Sequence, residues 1–190
     1  MTKLFCLLLV AVAFFGLAKA EEAEPEVYCP PIPPAPEGFN MSKIMGTWYE
    51  VMRDPQPRKI EKCVIQTIMT GEASSIRITT MGQDSENKTA SETAYGFIRD
   101  FANPHVLSVQ FANEMQEVPF TVVDMGPSHI LIHSCVEMYG LWKMEEVSLY
   151  SRWPKMDLAT GIKALGVLEA QLGIPSKAMR LVDQDKCRQQ

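Results

Sequence analysis

Cysteines are the residues of this chain whose type and spacing bear most directly on chemistry. Five occur, and those beyond the N-terminal segment are Cys29, Cys63, Cys135 and Cys187. None forms a Cys-x-x-Cys pair, which is the spacing typical of zinc sites. Four cysteines in an oxidising compartment favour two disulfides, and sequence alone allows three pairings. Such pairing would leave no thiolate for nucleophilic catalysis.

The histidines and adjacent carboxylates suggest no catalytic arrangement. His129 and His133 lie four residues apart on one predicted strand, on the face that we expect to point outward, and His105 begins another strand at the end predicted to be closed. Glu145 and Glu146 are neighbours on a strand and so project to opposite faces. No Gly-rich phosphate loop or supported Ser-His-Asp set occurs in the sequence. We expect no catalysis, no metal site and no resident cofactor beyond a bound lipophilic ligand or bilin.

The N-terminus has the pattern of a secretory signal peptide. Lys3 precedes an apolar run from Leu4 to Leu17, and Ala18-Lys19-Ala20 offers an A-x-A cleavage site. The run is shorter than the about 20 apolar residues that cross a bilayer. We predict that residues 1–20 are removed and that the protein is extracellular. Loss of Lys3 and Lys19 changes the net charge from −5 to −7, an acidic balance that argues against nucleic-acid binding.

A proline-rich arm, residues 21–45, follows the signal peptide. Its acids and prolines predict an extended segment rather than a packed element. Two N-glycosylation sequons occur, at Asn40 and at Asn87, and a secreted chain would expose both to modification. Asn87 lies in the polar stretch GQDSENKTA and is the better candidate.

Short strand candidates separated by turn residues occupy residues 46 to about 153. The eight segments are GTWYEVMR, CVIQTIMT, SIRITTM, ASETAYGFIR, HVLSVQF, PFTVVDM, HILIHSC and EEVSLYSRW. Their regular spacing predicts an all-β antiparallel meander, as a sandwich or a barrel. HILIHSC is apolar on both faces, which indicates a strand that is covered on both sides.

One helix is predicted at about residues 157–173, and it is the expected cover for the outer face of the sheet. Asp157 is its predicted N-cap, and Gly173 followed by Ile174-Pro175 is a good stop. The apolar stripe that should face the sheet consists of Leu158, Ile162, Leu165, Leu168 and Leu172. In the tail, residues 174–190, the stretch MRLVDQ could add a short strand.

These features together resemble the lipocalin family, and within it the branch of apolipoprotein D and the insect bilin-binding proteins. The resemblance rests on Gly46-x-Trp48-Tyr49 opening the first strand, on Asp124 before a turn, on Arg152 closing the last strand, on the tail MRLVDQDKC and on the cysteine positions. Val122-Val123-Asp124-Met125 departs from the T-D-x-Y turn of the family. The resemblance implies a single domain over residues 46–190.

The implied fold is an eight-stranded antiparallel up-and-down β-barrel with the C-terminal α-helix packed on the outside. Trp48 would plug the closed end of the barrel, with the guanidinium of Arg152 across its ring, and Gly46 would let the chain turn into the barrel wall. The implied disulfides are Cys29–Cys135, holding the arm across the closed end, and Cys63–Cys187, holding the tail.

The resemblance also implies a ligand site inside the barrel, with an inner wall that is mostly apolar. The predicted ligand-binding residues are Met52, Gln66, Ile68, Ile78, Thr80, Leu107, Val109, Phe111, Phe120, Val122, Ile132, Ser148 and Tyr150, with Ile130 on the same wall. Trp142 is predicted to fold over the ligand as a lid, or else to form an exposed lip with Tyr139 and Leu141. Since no inward Arg or Lys except Arg152 is predicted, we expect neutral ligands. The alternative is a filled core without a cavity.

The sequence therefore predicts a monomeric, secreted carrier of a fatty acid, sterol, retinoid or bilin. Two other classes of function remain open. The first is an interaction protein that meets a lipid surface or a receptor through the lip, residues 139–142. The second is a lipocalin-type isomerase that uses a cavity thiol.

Overall fold

The computed structural model describes residues 27–72, 75–112, 114–185 and 187. The predicted signal peptide lies outside the described residues. The elements in chain order are α1 (Met41–Ile44), β1 (Gly46–Arg53), β2 (Lys62–Thr70), β3 (Ile76–Gln83), β4 (Thr89–Phe97), β5 (Val106–Phe111), β6 (Glu117–Met125), β7 (His129–Met138), β8 (Trp142–Ser151), α2 (Leu158–Leu172), a 3₁₀ turn (Ser176–Ala178) and β9 (Arg180–Leu181). Within these ranges, none of the helices is long and apolar enough to cross a membrane.

The strands close into a barrel. Each of β1 to β7 pairs antiparallel with the next strand, and β8 pairs back onto β1. The predicted eight-stranded up-and-down barrel is therefore confirmed, and β9 adds a short ninth strand to β1. Because the strands alternate in direction, the connections after β1, β3, β5 and β7 leave from the same end of the barrel, which we call the mouth.

A bulge in β1 changes which side chains face the interior. Glu50 pairs with Tyr150, but the next paired residue is Met52, opposite Leu149. The extra residue reverses the alternation of the strand. Met52 therefore packs outside the barrel, so its predicted inward position is wrong. Arg53 takes that place and is 1% exposed.

Besides the core inside the barrel, a second hydrophobic core lies between the outer face of the sheet and α2. Leu131, Val147 and Leu149 point outward and pack there with Ala164 and Leu168. The helix is held on the sheet by the hydrophobic effect, which contributes a free energy of about 25 cal/mol for each Å² of apolar surface buried. The barrel strand HILIHSC is apolar on both faces because it contributes to both cores.

Both predicted ends of α2 are confirmed, whereas its predicted buried stripe is partly wrong. The Asp157 carboxylate accepts from the backbone N–H of Thr160 at 2.9 Å, and Gly173 is left-handed with φ 67°. Leu158 and Ile162 are 77% and 62% exposed. The buried arc is centred on Leu168, and at 100° per residue Ile162 lies roughly 120° around the helix from it.

Two disulfides attach the chain ends to the barrel, with the predicted pairing. Cys63–Cys187 ties the tail to β2. Cys29–Cys135 ties the arm to β7, but not across the closed end, because Cys135 pairs in register with Glu145 in the mouth half of the β7–β8 hairpin. The arm reaches the closed end further along, where the ring of His105 hydrogen-bonds the carbonyl of Pro33 at 2.9 Å.

Candidate functional site

The closed end of the barrel is sealed by Trp48 and Arg152. Trp48 is 0% exposed, and its indole N–H donates to the carbonyl of Ile44 at 2.8 Å. The Arg152 guanidinium lies 3.4 Å from the indole centroid and donates to three backbone carbonyls at 2.9–3.0 Å. Gly46 has φ 99°, and a Cβ there would lie 3.1 Å from Arg152 Nη1. A side chain at position 46 would therefore be strained by this φ and would crowd the arginine that covers Trp48.

Above this seal, the lower half of the barrel is a packed core rather than a pocket. Five of the predicted ligand-binding residues belong to it, and none of them lines the cavity: Ile68, Ile78, Leu107, Val109 and Val122. An eight-stranded barrel is just wide enough for side chains to fill, and here branched residues from all sides meet over Trp48. For this half, the alternative of a filled core holds.

A cavity of about 100 Å³ occupies the upper half, below the mouth. Seven predicted residues line it: Gln66, Thr80, Phe111, Phe120, Ile132, Ser148 and Tyr150. Its other lining residues were not predicted: Glu50, Arg53, Arg58, Lys59, Ile60, Val64, Glu92, Ser134 and Glu146. The expected absence of inward cations other than Arg152 is therefore wrong, and with it the reason for expecting neutral ligands.

Four charged residues and one serine form a connected group that we call the mouth network: Glu50, Arg53, Asp54, Arg58 and Ser148. Arg53 pairs with Glu50 Oε2, and Arg58 donates to Glu50 Oε1 at 3.0 Å and to Asp54 Oδ2 at 2.5 Å. Arg58 also donates to Ser148 Oγ at 2.7 Å. Charges in so buried a place are stable only when they are paired and hydrogen-bonded.

The electrostatics of the cavity follow from burial and from this pairing. Burial lowers the pKa of Arg58, but Glu50 and the other nearby carboxylates raise it more, so the guanidinium stays charged. Burial also raises the pKa of the Tyr150 phenol. Desolvation raises the pKa of Glu92, partly offset by Lys59.

Three buried polar atoms of the cavity lining lack a hydrogen-bond partner among the described residues: Arg53 Nε, Arg58 Nε and Gln66 Oε1. The amide of Gln66 has only a long contact, with its Nε2 3.5 Å from Thr80 Oγ1. Buried polar groups are nearly always paired, so each of these three atoms is available to a water or to a ligand group. Two of the three are N–H donors on cations.

Trp142 does not line this cavity. It is half exposed and borders a groove on the outside, beside Leu141 and Ile174. The predicted lid over the ligand is therefore not the arrangement seen, whereas Tyr139 and Leu141 are strongly exposed, as an apolar lip would be. Another outer groove of about 570 Å³ runs between the start of α2 and the tail, with the exposed Leu158 and Leu181 on its walls.

The outward histidines each face a carboxylate. His129 Nε2 lies 3.0 Å from Asp124, and His133 Nε2 lies 2.9 Å from Glu145. These hydrogen bonds lower the pKa of both carboxyl groups. Cys135 is close to His133 and Glu145, but its sulfur is held in the disulfide.

The sequence gives little indication that the charged residues missed by the prediction point into the barrel. Arg58 belongs to the turn DPQPRK between the first two predicted strands, and nothing in that stretch marks one side chain as folding inward. Glu50 alternates with Trp48 and could have been placed inside from strand period alone. Arg53 could not, because the bulge that turns it inward leaves no mark on the sequence.

The geometry defines a class: a closed barrel with one sealed end, one mouth and a small internal cavity. The chain belongs to the family of lipocalin-like domains, whose family model matches residues 39–184. It is similar to apolipoprotein D of Mus musculus, with 23% identity over 158 residues and 83% of each chain covered. Apolipoprotein D of Macaca fascicularis matches over 188 residues at 22% identity, covering 98% of each.

Solved structures support the same fold. Lobster apocrustacyanin A1 superposes with a TM-score of 0.68 at 17% identity, covering 77% of this chain and 81% of the other. The cockroach allergen Per a 4 gives a TM-score of 0.64 at 18% identity, covering 83% and 96%. Both likenesses concern the fold.

Proposed function

We propose that the protein is a secreted, non-catalytic carrier that binds one small hydrophobic molecule inside the mouth half of the barrel. The observation that carries this proposal is the cavity, where Phe111, Phe120 and Ile132 offer apolar walls beside a few polar groups. That combination is typical of small-molecule sites. The ligand class is a fatty acid, sterol, retinoid or bilin.

Secretion is part of the proposal, and three features support it. The N-terminal sequence has the signal-peptide pattern, two disulfides are present, and disulfides persist in oxidising compartments. The sequon residues Asn40 and Asn87 are both exposed, which is what glycosylation requires. We propose that the mature, glycosylated protein begins near residue 21 and acts as a monomer.

The first test is native mass spectrometry of the protein secreted by a eukaryotic host, before and after mild organic extraction. We expect one extractable small molecule per chain, and the intact mass also reports glycans, disulfides and signal cleavage. A Ser134→Trp variant should lose the ligand because Ser134 lines the cavity, whereas Ser91→Trp, on the exposed face of β4, should keep it. An empty barrel that also fails to bind added retinol, fatty acid or biliverdin would contradict the carrier function.

The exposed lip supports a second candidate, an interaction protein that meets a lipid surface or a receptor through residues 139–142. A Trp142→Ala change should then abolish partner or vesicle binding and leave ligand affinity intact. An isomerase is the weaker alternative, because all four cysteines of the described part of the chain are in disulfides. Thiol titration of the denatured, unreduced protein would detect a free cysteine.

A further inference from the structure

The cavity is too small for the proposed ligand. Sites for small molecules of that size enclose about 300–1,000 Å³, whereas this cavity has about 100 Å³. The lower half of the barrel is a packed core that contains Trp48 and Val109, both 0% exposed. Room for a ligand must therefore come from the upper half, where a side chain has to move.

Arg58 is the lining side chain that is best placed to move. It comes from the loop between β1 and β2, residues 54–61, which has no helix or strand. Its side chain is 18% exposed, and its guanidinium bridges Glu50 of β1 and Ser148 of β8. Arg58 thus ties the loop to the barrel interior by its side chain, and Arg53 holds the end of the same loop by donating to the carbonyl of Ile60 at 2.8 Å.

The partners of Arg58 remain satisfied when it leaves. Glu50 keeps Arg53 on Oε2 and the hydroxyl of Ser148 on Oε1 at 2.7 Å. Asp54 keeps two backbone N–H donors, from Gln56 and Val147, each at 2.8 Å. Withdrawal of Arg58 therefore leaves no carboxylate buried and unpaired, which would be the costly outcome. Arg53 has no such freedom, since it lies deep and nearly unexposed.

The chemistry left over in the cavity fits an anionic head group. Both carboxylate oxygens of Glu50 are used within the protein, whereas the Nε donors of Arg53 and Arg58 are buried without partners in the described part of the chain. Lys59 adds a third cation to the same lining. The opposing carboxyls are Glu92, whose pKa is raised by desolvation, and Glu146, which lies 3.8 Å from Arg58.

We propose that Arg58 determines ligand specificity: it closes the empty barrel, and when displaced it pairs with the carboxylate of an acidic amphiphile whose apolar body takes its place against Phe111 and Phe120. This inference rests on the proposed carrier function and names the ligand class within it. Arginine suits the role because its planar fork binds a carboxylate through two parallel hydrogen bonds.

The test uses three probes with one hydrocarbon body and different heads: a long-chain polyene carboxylic acid, the corresponding primary alcohol and the corresponding amine. Dissociation constants are measured by fluorescence at neutral pH for the full secreted protein. The wild type should prefer the acid to the alcohol by about tenfold, the usual size of one charge-assisted pair. Arg58→Met should lose that preference and should bind the alcohol more tightly than wild type, because the closed state no longer competes.

Two further variants make the result specific. Arg58→Lys keeps the charge and should retain part of the acid preference. Arg99→Met removes an arginine that pairs with Glu117 on the exposed surface and should leave all three dissociation constants unchanged. Hydrogen exchange on the wild type should show faster exchange in residues 54–61 when the acid binds, so the test does not depend on the variants folding.

Three results would overturn the inference while leaving the carrier function in place. These are equal affinity for acid and alcohol, an acid preference that survives Arg58→Met, and unchanged exchange in the loop on binding. Preference for the amine would also overturn it, because it would show that the carboxylates of the cavity lining, and not Arg58, bind the head group of the ligand. Failure of every probe to bind, together with no extractable ligand, would remove the carrier function itself.

Discussion

The two ends of the barrel each depend on an arginine, and the two arginines are held in different ways. Arg152 at the closed end stacks on Trp48 and donates to backbone carbonyls. Arg58 at the mouth is held by the side chains of Glu50, Asp54 and Ser148.

This difference means that Arg152 closes its end of the barrel permanently, whereas Arg58 can leave its position at the mouth. The carbonyls that Arg152 satisfies belong to the chain entering the barrel, so its loss would release that segment. The groups that Arg58 satisfies have other donors, so its loss leaves them paired. The closed end should therefore govern stability, and the mouth should govern binding.

The largest effect is expected from Trp48→Ala, which removes the centre of the closed-end core. Truncating a fully buried aromatic residue lowers the free energy of unfolding by about 3–5 kcal/mol. Urea denaturation measures it. Trp153→Ala is the matched control, because Trp153 is 66% exposed and its loss should change stability by less than about 0.5 kcal/mol. Equal effects of the two changes would show that the closed end is not the stabilising core.

At the mouth, Glu50→Gln should cost about 3 kcal/mol, because it leaves the buried guanidinium of Arg53 without its carboxylate. Replacing both residues, as Glu50→Leu with Arg53→Leu, should recover most of that loss, since a buried pair stabilises little relative to apolar side chains. Chemical denaturation of Glu50→Leu, of Arg53→Leu and of the double variant gives the coupling free energy. If the double variant is no more stable than Glu50→Gln, the pair is a net source of stability and the contrast between the two ends fails.

The two arginines themselves give the sharpest comparison. Arg152→Met should lower the free energy of unfolding by about 1–2 kcal/mol, through the lost cation–π contact and hydrogen bonds. Arg58→Met should lower it by less than about 1 kcal/mol, because its partners stay satisfied. Thermal or urea unfolding of both variants measures the two losses side by side. A larger loss for Arg58→Met would show that the mouth arginine, rather than Arg152, is the one that stabilises the fold.

The smallest expected effect concerns pH. The raised pKa of Glu92 means that its ionised form disfavours the fold at neutral pH, a penalty that disappears as pH falls through the folded pKa. Glu92→Gln should therefore raise the melting temperature slightly at pH 7, with little change near pH 4.

The opposite sign holds for Asp124 on the outer face, whose pKa is lowered by His129. Its stabilisation is present above the unfolded pKa and is lost as pH falls through the folded one. Asp124→Asn should lower the melting temperature at pH 7. Melting curves of both variants at two pH values test the signs, and a destabilised Glu92→Gln at pH 7 would contradict the desolvated environment of Glu92.

Much of the barrel could be predicted because local rules and global fold agree there. Turn residues bound the strands, Asp157 and Gly173 end the helix as capping chemistry requires, and the lipocalin resemblance supplied the disulfide pairing and the contact of Trp48 with Arg152. The closed-end residues were placed on the correct face because undisturbed alternation allows it.

The ligand site was predicted less well. Residues that all point into the barrel can lie at different depths, so they do not all line the same cavity. Leu107 and Phe111 share the inward face of β5, yet only Phe111 lies high enough to line the cavity. Met52 was misplaced by a one-residue bulge, because a shift of one residue moves a side chain to the other face.

The sequence by itself determined the strand and helix pattern, the helix caps and the presence of paired cysteines, because these depend on neighbours a few residues apart. Only the tertiary structure decided which half of the barrel is filled, where Arg53 points and that Arg58 folds into the mouth. These depend on contacts between residues as far apart in the chain as Arg58 and Ser148, and pairing buried charges at that distance is a property of the closed barrel.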